Sequence, residues 1–140
     1  SAPEREKTDL ANSLSDEHIT SLFQYSPSYF EEGANQFPYP LNAAATSAAY
    51  RDFNAARSLT VSILGRMLSG AEVKDSEIER TTETFIPQAG DSDEMRARKE
   101  KRLRDFLAVY AKSGNEGIKL LVGPDIERYR KKYPRGNGNG

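Results

Sequence analysis

Residues 57–110 read RSLTVSILGRMLSGAEVKDSEIERTTETFIPQAGDSDEMRARKEKRLRDFLAVY, and this stretch decides the fold. Its first part carries apolar side chains at the three- and four-residue spacing of a helix that buries one broad face. These side chains are Leu59, Val61, Ile63, Leu64, Met67 and Leu68. Gly70 follows the last of them, at the position where a glycine commonly ends a helix. Together with the alanine-rich residues before it, the pattern predicts a helix over 46–68.

A second, shorter helix is predicted over 76–85. Asp75 or Ser76 can accept hydrogen bonds from the free amide groups of its first turn. Pro87 ends it, because proline lacks an amide proton and disfavours helical geometry in the residue before it. Its inner face is predicted to contain Ile78, Thr82, Phe85 and Ile86.

The third helix has the clearest start signal, and it is predicted over 92–112. Asp91 is expected to cap it, and Glu94 stands three residues further on, where it can reach back toward the cap. The buried side is predicted to contain Met95, Leu103, Phe106, Leu107 and Tyr110. Gly114 is the predicted stop. Short helices joined by short turns must pack on one another to be stable in water, so we expect an all-α fold, either a small helical bundle or an extended helical array.

The two ends of the chain are expected to lie outside this helical domain, which spans 15–112. Residues 1–14 are predicted to be a flexible linker, followed by a helix over 15–24 with Ser15 as its cap and Leu14 packing on Ile19. Residues 113–140 are predicted to form a C-terminal extension. In the extension, 118–122 suits either a short helix or a strand, Asp125 is expected to cap a final turn or two, and a Gly-Asn tail is expected to be flexible.

Residues 25–41 differ in kind from the rest of the chain, because large aromatic side chains alternate with prolines. Proline at this density disfavours both a long helix and a central strand, which predicts an extended loop. The rings either fold back over the helices or serve as an anchor on another protein, since aromatic residues dominate interface energetics. The candidate interface residues are Tyr25, Tyr29, Phe30, Phe37 and Tyr39.

Composition excludes several classes of protein. The chain of 140 residues has no cysteine, one histidine and a formal charge of -1. Disulfides and thiol chemistry are therefore excluded, and zinc sites of the usual composition are not expected. No apolar run approaches the roughly 20 residues that span a bilayer. Because the chain begins with Ser1, we expect a processed product or a piece of a longer polypeptide.

No residue pattern indicates catalysis, and neither a cofactor nor a metal is expected. His18 lies in the first turn of a predicted helix, where a surface or capping role is typical. Adjacent carboxylates such as Glu31 and Glu32 are usually caps or parts of a solvated face rather than acid and base partners.

Two basic clusters are candidates for contact with nucleic acid. Acidic residues interrupt them, and such mixtures more often form ion pairs along a helix than a track for phosphates. The candidate contact residues are Arg96, Arg98, Lys99, Lys101, Arg102, Arg128, Arg130, Lys131 and Lys132.

The turns of residues 57–110 occur in a distinctive order. A helix ends in a small-residue turn, a capped helix ends in an apolar element with proline, and a Gly-Asp-Ser turn opens a charged helix. The segments are Leu68-Ser69-Gly70-Ala71, Asp75-Ser76-Glu77, Phe85-Ile86-Pro87-Gln88, Gly90-Asp91-Ser92 and, within 99–107, Arg104-Asp105-Phe106-Leu107. In this order they resemble a helical module of large virion proteins of tailed bacteriophages, which include internal and DNA-ejection proteins.

The resemblance implies a non-enzymatic structural component of a virion that helps deliver DNA into the host. Its expected partners are copies of itself or portal and tail proteins, and we expect an oligomer. Its expected place is the virion, then the host periplasm or envelope after ejection, with only indirect membrane contact. The alternative is a nucleic-acid-binding or enzyme-associated helical accessory domain. Salt separates the two, because phosphate binding weakens steeply as salt rises.

Overall fold

The computed structural model describes residues 9–134, and within them the secondary structure is helical without a strand. Residues 9–12 are helical and precede the helices named here. The named helices are α1 (Asp16–Gln24), α2 (Tyr29–Ala34), α3 (Leu41–Ala45), α4 (Ala48–Gly70), α5 (Asp75–Glu83) and α6 (Asp93–Lys132). The predicted all-α class is confirmed. The whole predicted Gly-Asn tail and the first eight residues of the predicted linker lie outside the described residues.

Helix α4 is the central element, and α1, α5 and α6 pack around it. Ser47 caps it by accepting a hydrogen bond from the Tyr50 amide, and the predicted apolar face is buried at Ile63, Leu64, Met67 and Leu68. Val61, predicted on the same face, is exposed and lies beside an open groove between α4 and α5. A face of this width needs neighbours on several sides, which explains the packing around α4.

Helix α6 reverses direction at Gly114, where φ is 62° and ψ is -145°. Only glycine adopts this backbone geometry without steric cost. We call residues 93–113 the first arm and 115–132 the second arm. The Arg102 guanidinium on the first arm bonds the Asp125 carboxylate on the second, a contact that a continuous helix over that distance excludes. The arms therefore form an antiparallel hairpin.

The second arm packs closely on the first. A Cβ atom added at Gly117 would lie 2.7 Å from side-chain atoms of both Val109 and Ser113, so the absence of a side chain lets the arms approach. Ile118 and Val122 are buried in the same core as the first arm. Residues 113–132 of the predicted C-terminal extension are thus helical, and they contribute Ile118, Val122 and Ile126 to the same core as the first arm.

Asp125 does not cap a new helix, contrary to the prediction. The second arm runs through Pro124, and Asp125 accepts hydrogen bonds from Arg102 and Arg128 instead. The short apolar run over 118–122, left open between helix and strand, is helical. Ile118 and Val122 are buried because the chain reverses at Gly114, whereas Leu120 and Leu121 stay exposed.

Two predicted helix caps are also wrong. Ser92, and not Asp91, caps α6 by accepting from the Met95 amide at 3.0 Å. Asp91 instead accepts from the Gln88 amide at 2.9 Å and from Lys99 Nζ at 2.7 Å, so it closes the preceding turn. Helix α5 starts one residue earlier than predicted, and its N-cap residue Lys74 makes no capping bond through its side chain.

The aromatic stretch is not an extended loop. The interval between Pro27 and Pro38 is long enough for α2, which Ser28 caps by accepting from the Glu31 amide at 3.1 Å. Helix α3 follows Pro40 and packs against α2. Proline therefore limits the length of these helices rather than preventing them. We call 25–45 the aromatic segment.

The N-terminal part of the described chain is less separate than predicted. Leu14 is buried beside Ile19 in the core, in agreement with the predicted packing across the Ser15 cap. Leu10 also packs against this core. Residues 9–14 therefore belong to the folded domain.

Candidate functional site

The aromatic segment presents five large apolar side chains to solvent. Phe30 is 73% exposed and Tyr39 is 82% exposed, far from the burial that rings of this size usually reach. We call this set the aromatic surface, and its members are Tyr29, Phe30, Phe37, Tyr39 and Leu41. Because α2 and α3 pack on each other, the five side chains come from one small structural unit.

Tyr25 does not belong to the aromatic surface, although the sequence placed it among the candidate interface residues. Its ring lies 5.4 Å from the Phe53 ring and 6.1 Å from the Tyr50 ring, centre to centre. It is half-buried at the edge of the core. The structure thus separates Tyr25, which completes packing, from four candidate rings that are largely exposed, of which Tyr29 rests its hydroxyl end against Gly90.

Glu31 joins α2 to the elements on both sides of it. Its carboxylate accepts from the Tyr25 hydroxyl at 2.5 Å and from the Ser47 hydroxyl, at the start of α4, at 3.2 Å. Burial, together with the hydrogen bond to Glu31, raises the pKa of Tyr25. The hydrogen bonds of Glu31 fix one face of α2 against the start of α4, and Tyr29 and Phe30 lie on the opposite face.

Glu32 forms the stronger attachment. Two nitrogens of Arg57 donate to its two carboxylate oxygens at 2.5 and 2.9 Å, and the Tyr50 hydroxyl donates to the same group. A forked pair of this kind is a strong charge-assisted interaction. We call Glu32, Arg57 and Tyr50 the carboxylate clamp. It corrects the expectation that Glu32 belongs to a solvated face.

The clamp shifts the titration of its members. Burial by itself raises the pKa of Glu32, but hydrogen bonds from Arg57 and Tyr50 outweigh burial and hold that pKa below the usual value. Burial and the hydrogen bond to Glu32 raise the pKa of Tyr50 to about 12. At neutral pH the clamp therefore contains an ionised carboxylate and a neutral phenol.

The two basic clusters contribute many ion pairs to the fold. Along the first arm, Lys101 pairs with Asp105, and Arg104 pairs with Glu100. The prediction of ion pairs along the helix is confirmed for these residues. Arg128 pairs with Asp125 within the second arm. Other pairs join separate parts of the fold: Lys99 to Asp91, Arg102 on the first arm to Asp125 on the second, and Arg130 to Glu77.

The hairpin nevertheless brings both clusters to one cleft, which the sequence did not indicate. The cleft has a volume of about 980 Å³ and lies between α5 and the two arms of α6. We call it the basic cleft. Its cationic lining residues are Arg80, Arg98, Lys99, Arg102, Arg128, Lys131 and Lys132, against the acidic residues Glu77, Glu83 and Asp125. Met95, predicted to be buried, also lies on this cleft and is partly exposed.

Not every candidate contact residue faces the basic cleft. Arg96 donates to Asp93 at 2.5 Å and to the Ser26 hydroxyl at 3.0 Å, and it ties α6 to the chain before α2. Lys101 and Arg130 lie outside the lining of the cleft, and Arg130 donates to the lining residue Glu77 at 2.5 Å. Arg96 and Arg130 therefore join separate parts of the fold, whereas Lys101 forms only an exposed ion pair with Asp105.

An aromatic pair lies at one wall of the basic cleft. The rings of Tyr129 and Tyr133 are 4.9 Å apart, and the Arg80 guanidinium lies 4.8 Å from the centre of Tyr129 and 5.5 Å from that of Tyr133. None of the three was singled out in the sequence. The sequence contains only a weak indication of this pair: Tyr129 and Tyr133 are four residues apart, a spacing that places two side chains on one face of a helix.

His18 contributes to a helix start rather than to a reactive site. Its amide donates to the Ser15 hydroxyl at 3.2 Å, and its Nδ1 lies 2.8 Å from the same oxygen. Within 9–134, no group of three or more potential metal-binding side chains occurs. In the same range no helix combines the length and apolar character needed to cross a bilayer.

No protein-family model, curated protein or solved structure matches this chain. The two surfaces described above therefore carry the functional inference. The aromatic surface is apolar and formed by a unit that the carboxylate clamp attaches to α4. The basic cleft is charged and formed by α5 with the hairpin.

Proposed function

We propose that this protein is a non-enzymatic structural component that works by docking on other proteins through its aromatic surface. The observation that carries the proposal is the exposure of Tyr29, Phe30, Phe37 and Tyr39. Four rings exposed to this degree present on the order of 500 Å² to water. The largest apolar patches of monomeric proteins are about that size and are often functional.

The attachment of α2 supports docking rather than simple looseness of a surface segment. The carboxylate clamp and the bonds of Glu31 hold one face of α2 on α4. The ion pair between Glu32 and Arg57 thus holds α2 in an orientation that leaves Tyr29 and Phe30 exposed. Presentation on an anchored helix reduces the ordering cost of binding, which is a large opposing term in association.

As the biological setting we propose a bacteriophage virion, with the chain as an internal or ejection protein that helps deliver DNA into the host. The support is the resemblance of residues 57–110 to the helical module of such virion proteins. The proposed partners are copies of the chain or portal and tail proteins, in an oligomer. After ejection the proposed place is the host periplasm or envelope.

The test replaces Phe30, Phe37 and Tyr39 together by Ser. Because these side chains are exposed, we expect the melting temperature of the isolated protein to be nearly unchanged. Assembly should fail, measured as the mass of the protein in solution and as its copy number in purified particles. Loss of folding, with normal incorporation of the protein that survives, would contradict the proposal.

The matched control replaces exposed apolar residues away from the aromatic surface. Leu120 and Val61 are exposed on α6 and α4, and replacing both by Ser removes apolar surface without touching 25–45. We expect this variant to assemble as the unchanged protein does. Equal loss of assembly in the control would mean that general surface hydrophobicity, and not the aromatic surface, drives association.

A further inference from the structure

We propose that the basic cleft binds a single strand of nucleic acid. The proposal is independent of the docking role, because it uses a different surface and different residues. It rests on three features of the basic cleft: cations without a carboxylate partner, a concave shape and an aromatic pair in its wall.

The first feature is the charge that remains after ion pairing. Among the described residues, Arg98 and Lys131 have no hydrogen-bond or ion-pair partner, and Lys132 contacts only the Tyr133 ring. Two of the three acidic residues of the cleft are neutralised, since Asp125 accepts from Arg102 and Arg128 and Glu77 accepts from Arg130, which leaves Glu83. The cleft is lined by seven cationic and three acidic residues, while the chain as a whole has a formal charge of -1. A local excess of positive charge of this kind attracts a polyanion.

The second feature is shape. A duplex is read mainly by an element that protrudes into one of its grooves. The basic cleft is instead a recess between α5 and the two arms, and recesses lined by cations are typical of proteins that follow the backbone of a single strand. The geometry therefore favours a single strand over a duplex.

The third feature distinguishes nucleic acid from an acidic peptide. Tyr129 lines the cleft beside Arg80, and the ring of Tyr133, which is 45% exposed, contacts the Tyr129 ring at an angle of 45°. Aromatic rings and guanidinium groups are the surfaces on which unpaired bases stack. An acidic peptide would form ion pairs with the cationic side chains, but its carboxylates would not stack on the aromatic rings as bases do.

The experiment measures anisotropy of a fluorescent oligothymidine of about 12 nucleotides, a length within the range of single-strand sites, with the whole chain at several salt concentrations. The cleft variant carries Arg98→Ala, Lys131→Ala and Lys132→Ala. All three side chains are exposed, so the fold should persist, as circular dichroism will verify. We expect affinity to fall by at least about tenfold, and the slope of log affinity against log salt to decrease by about two, since each lost phosphate contact on a single strand contributes about 0.7.

The matched control carries Arg66→Ala, Lys101→Ala and Lys112→Ala, which make the same change in charge at exposed positions outside the cleft. Its affinity should stay within about twofold of the unchanged protein. A Tyr129→Leu variant should weaken binding by about tenfold with an unchanged salt slope, because it removes stacking and leaves the cations.

Several results would overturn the proposal. One is a control that weakens binding as much as the cleft variant, which would indicate attraction without a site. Others are the absence of oligonucleotide binding at physiological salt, tighter binding of a duplex of the same length, and equal competition by a polyglutamate peptide of the same charge. The last result would assign the cleft to an acidic protein segment.

Discussion

The core and the aromatic segment use the same kind of side chain in opposite ways. Phe85 and Phe106 are fully buried and lie 4.9 Å apart, whereas Phe30 and Phe37 project into solvent. The core rings lie on elements that apolar contacts hold on several sides. Polar bonds of Glu31 and Glu32 are prominent in holding α2. An aromatic ring is therefore buried where apolar contacts hold its helix in place, and it stays exposed where polar bonds hold the helix.

The largest expected difference between the two regions is in stability. Phe106→Ala should lower the free energy of unfolding by about 3–5 kcal/mol, because it leaves a cavity among buried side chains. Phe30→Ala should change it by less than about 0.5 kcal/mol, as exposed positions usually do. Urea unfolding of both variants measures the difference. Similar losses would show that Phe30 is part of a core.

Two glycines give the next comparison. Gly117→Ala places a methyl group 2.7 Å from Val109 and Ser113, and forced packing of this kind costs about 1–3 kcal/mol. Gly33 in α2 has no atom within 4 Å of the added carbon, so Gly33→Ala should stabilise by about 0.5–1 kcal/mol through helix propensity. Thermal unfolding distinguishes them, and equal shifts would contradict close packing of the two arms.

The carboxylate clamp predicts how stability depends on pH. The pKa of Glu32 is lower in the folded protein than in the unfolded chain, so its contribution is present above the unfolded pKa and is lost as pH falls through the folded one. Glu32→Gln should cost about 1–2 kcal/mol at neutral pH. This is at the lower end of the roughly 1.5–3 kcal/mol of hydrogen bonds to a charged group, because the Glu32 side chain is 25% exposed and solvent screens its charge.

The same variant supplies the control for that pH dependence. Below about pH 4.3, the ordinary pKa of glutamate, the difference between Glu32→Gln and the unchanged protein should shrink, because the unchanged carboxylate becomes protonated. Urea unfolding across this range measures it. A constant difference at all pH values would show that the lost interaction does not depend on the charge of Glu32.

The smallest expected effects come from the caps of the two regions. Ser92→Ala should cost about 1 kcal/mol, because Ser92 caps α6 and the whole domain depends on that helix. Ser28→Ala should cost only a few tenths of a kcal/mol globally, since α2 has six residues and can fray by itself. Chemical unfolding followed by circular dichroism compares them. A larger loss for Ser28→Ala would place α2 within the cooperative unit.

The sequence predicts the fold class and much of the core, because the information is local. Ser15, the periodic face of α4 and the burial of Phe85 and Phe106 follow from spacing and capping signals. The hairpin does not, since Gly114 marks a break but not the direction the chain takes after it.

The candidate sites were less predictable for the same physical reason. Tyr25 and Tyr29 look alike in the sequence, yet Tyr25 packs on Phe53 of α4, far along the chain, whereas Tyr29 is 75% exposed. The meeting of the two basic clusters depends on the reversal at Gly114, which brings Arg102 near Asp125 across 23 residues. Periodicity and capping signals report on neighbouring residues only, so they do not predict contacts between residues this far apart in the sequence.

The unequal attachment of α2 and α6 has a consequence for amide hydrogen exchange. Amides of the first arm of α6, which lies over the core, should exchange only through opening of the whole domain, whereas those of α2 need only the release of a short helix. Two rates are therefore expected in one small protein. A protein that docks on the aromatic surface should slow exchange at residues 29–34 and leave the exchange of the hairpin amides unchanged.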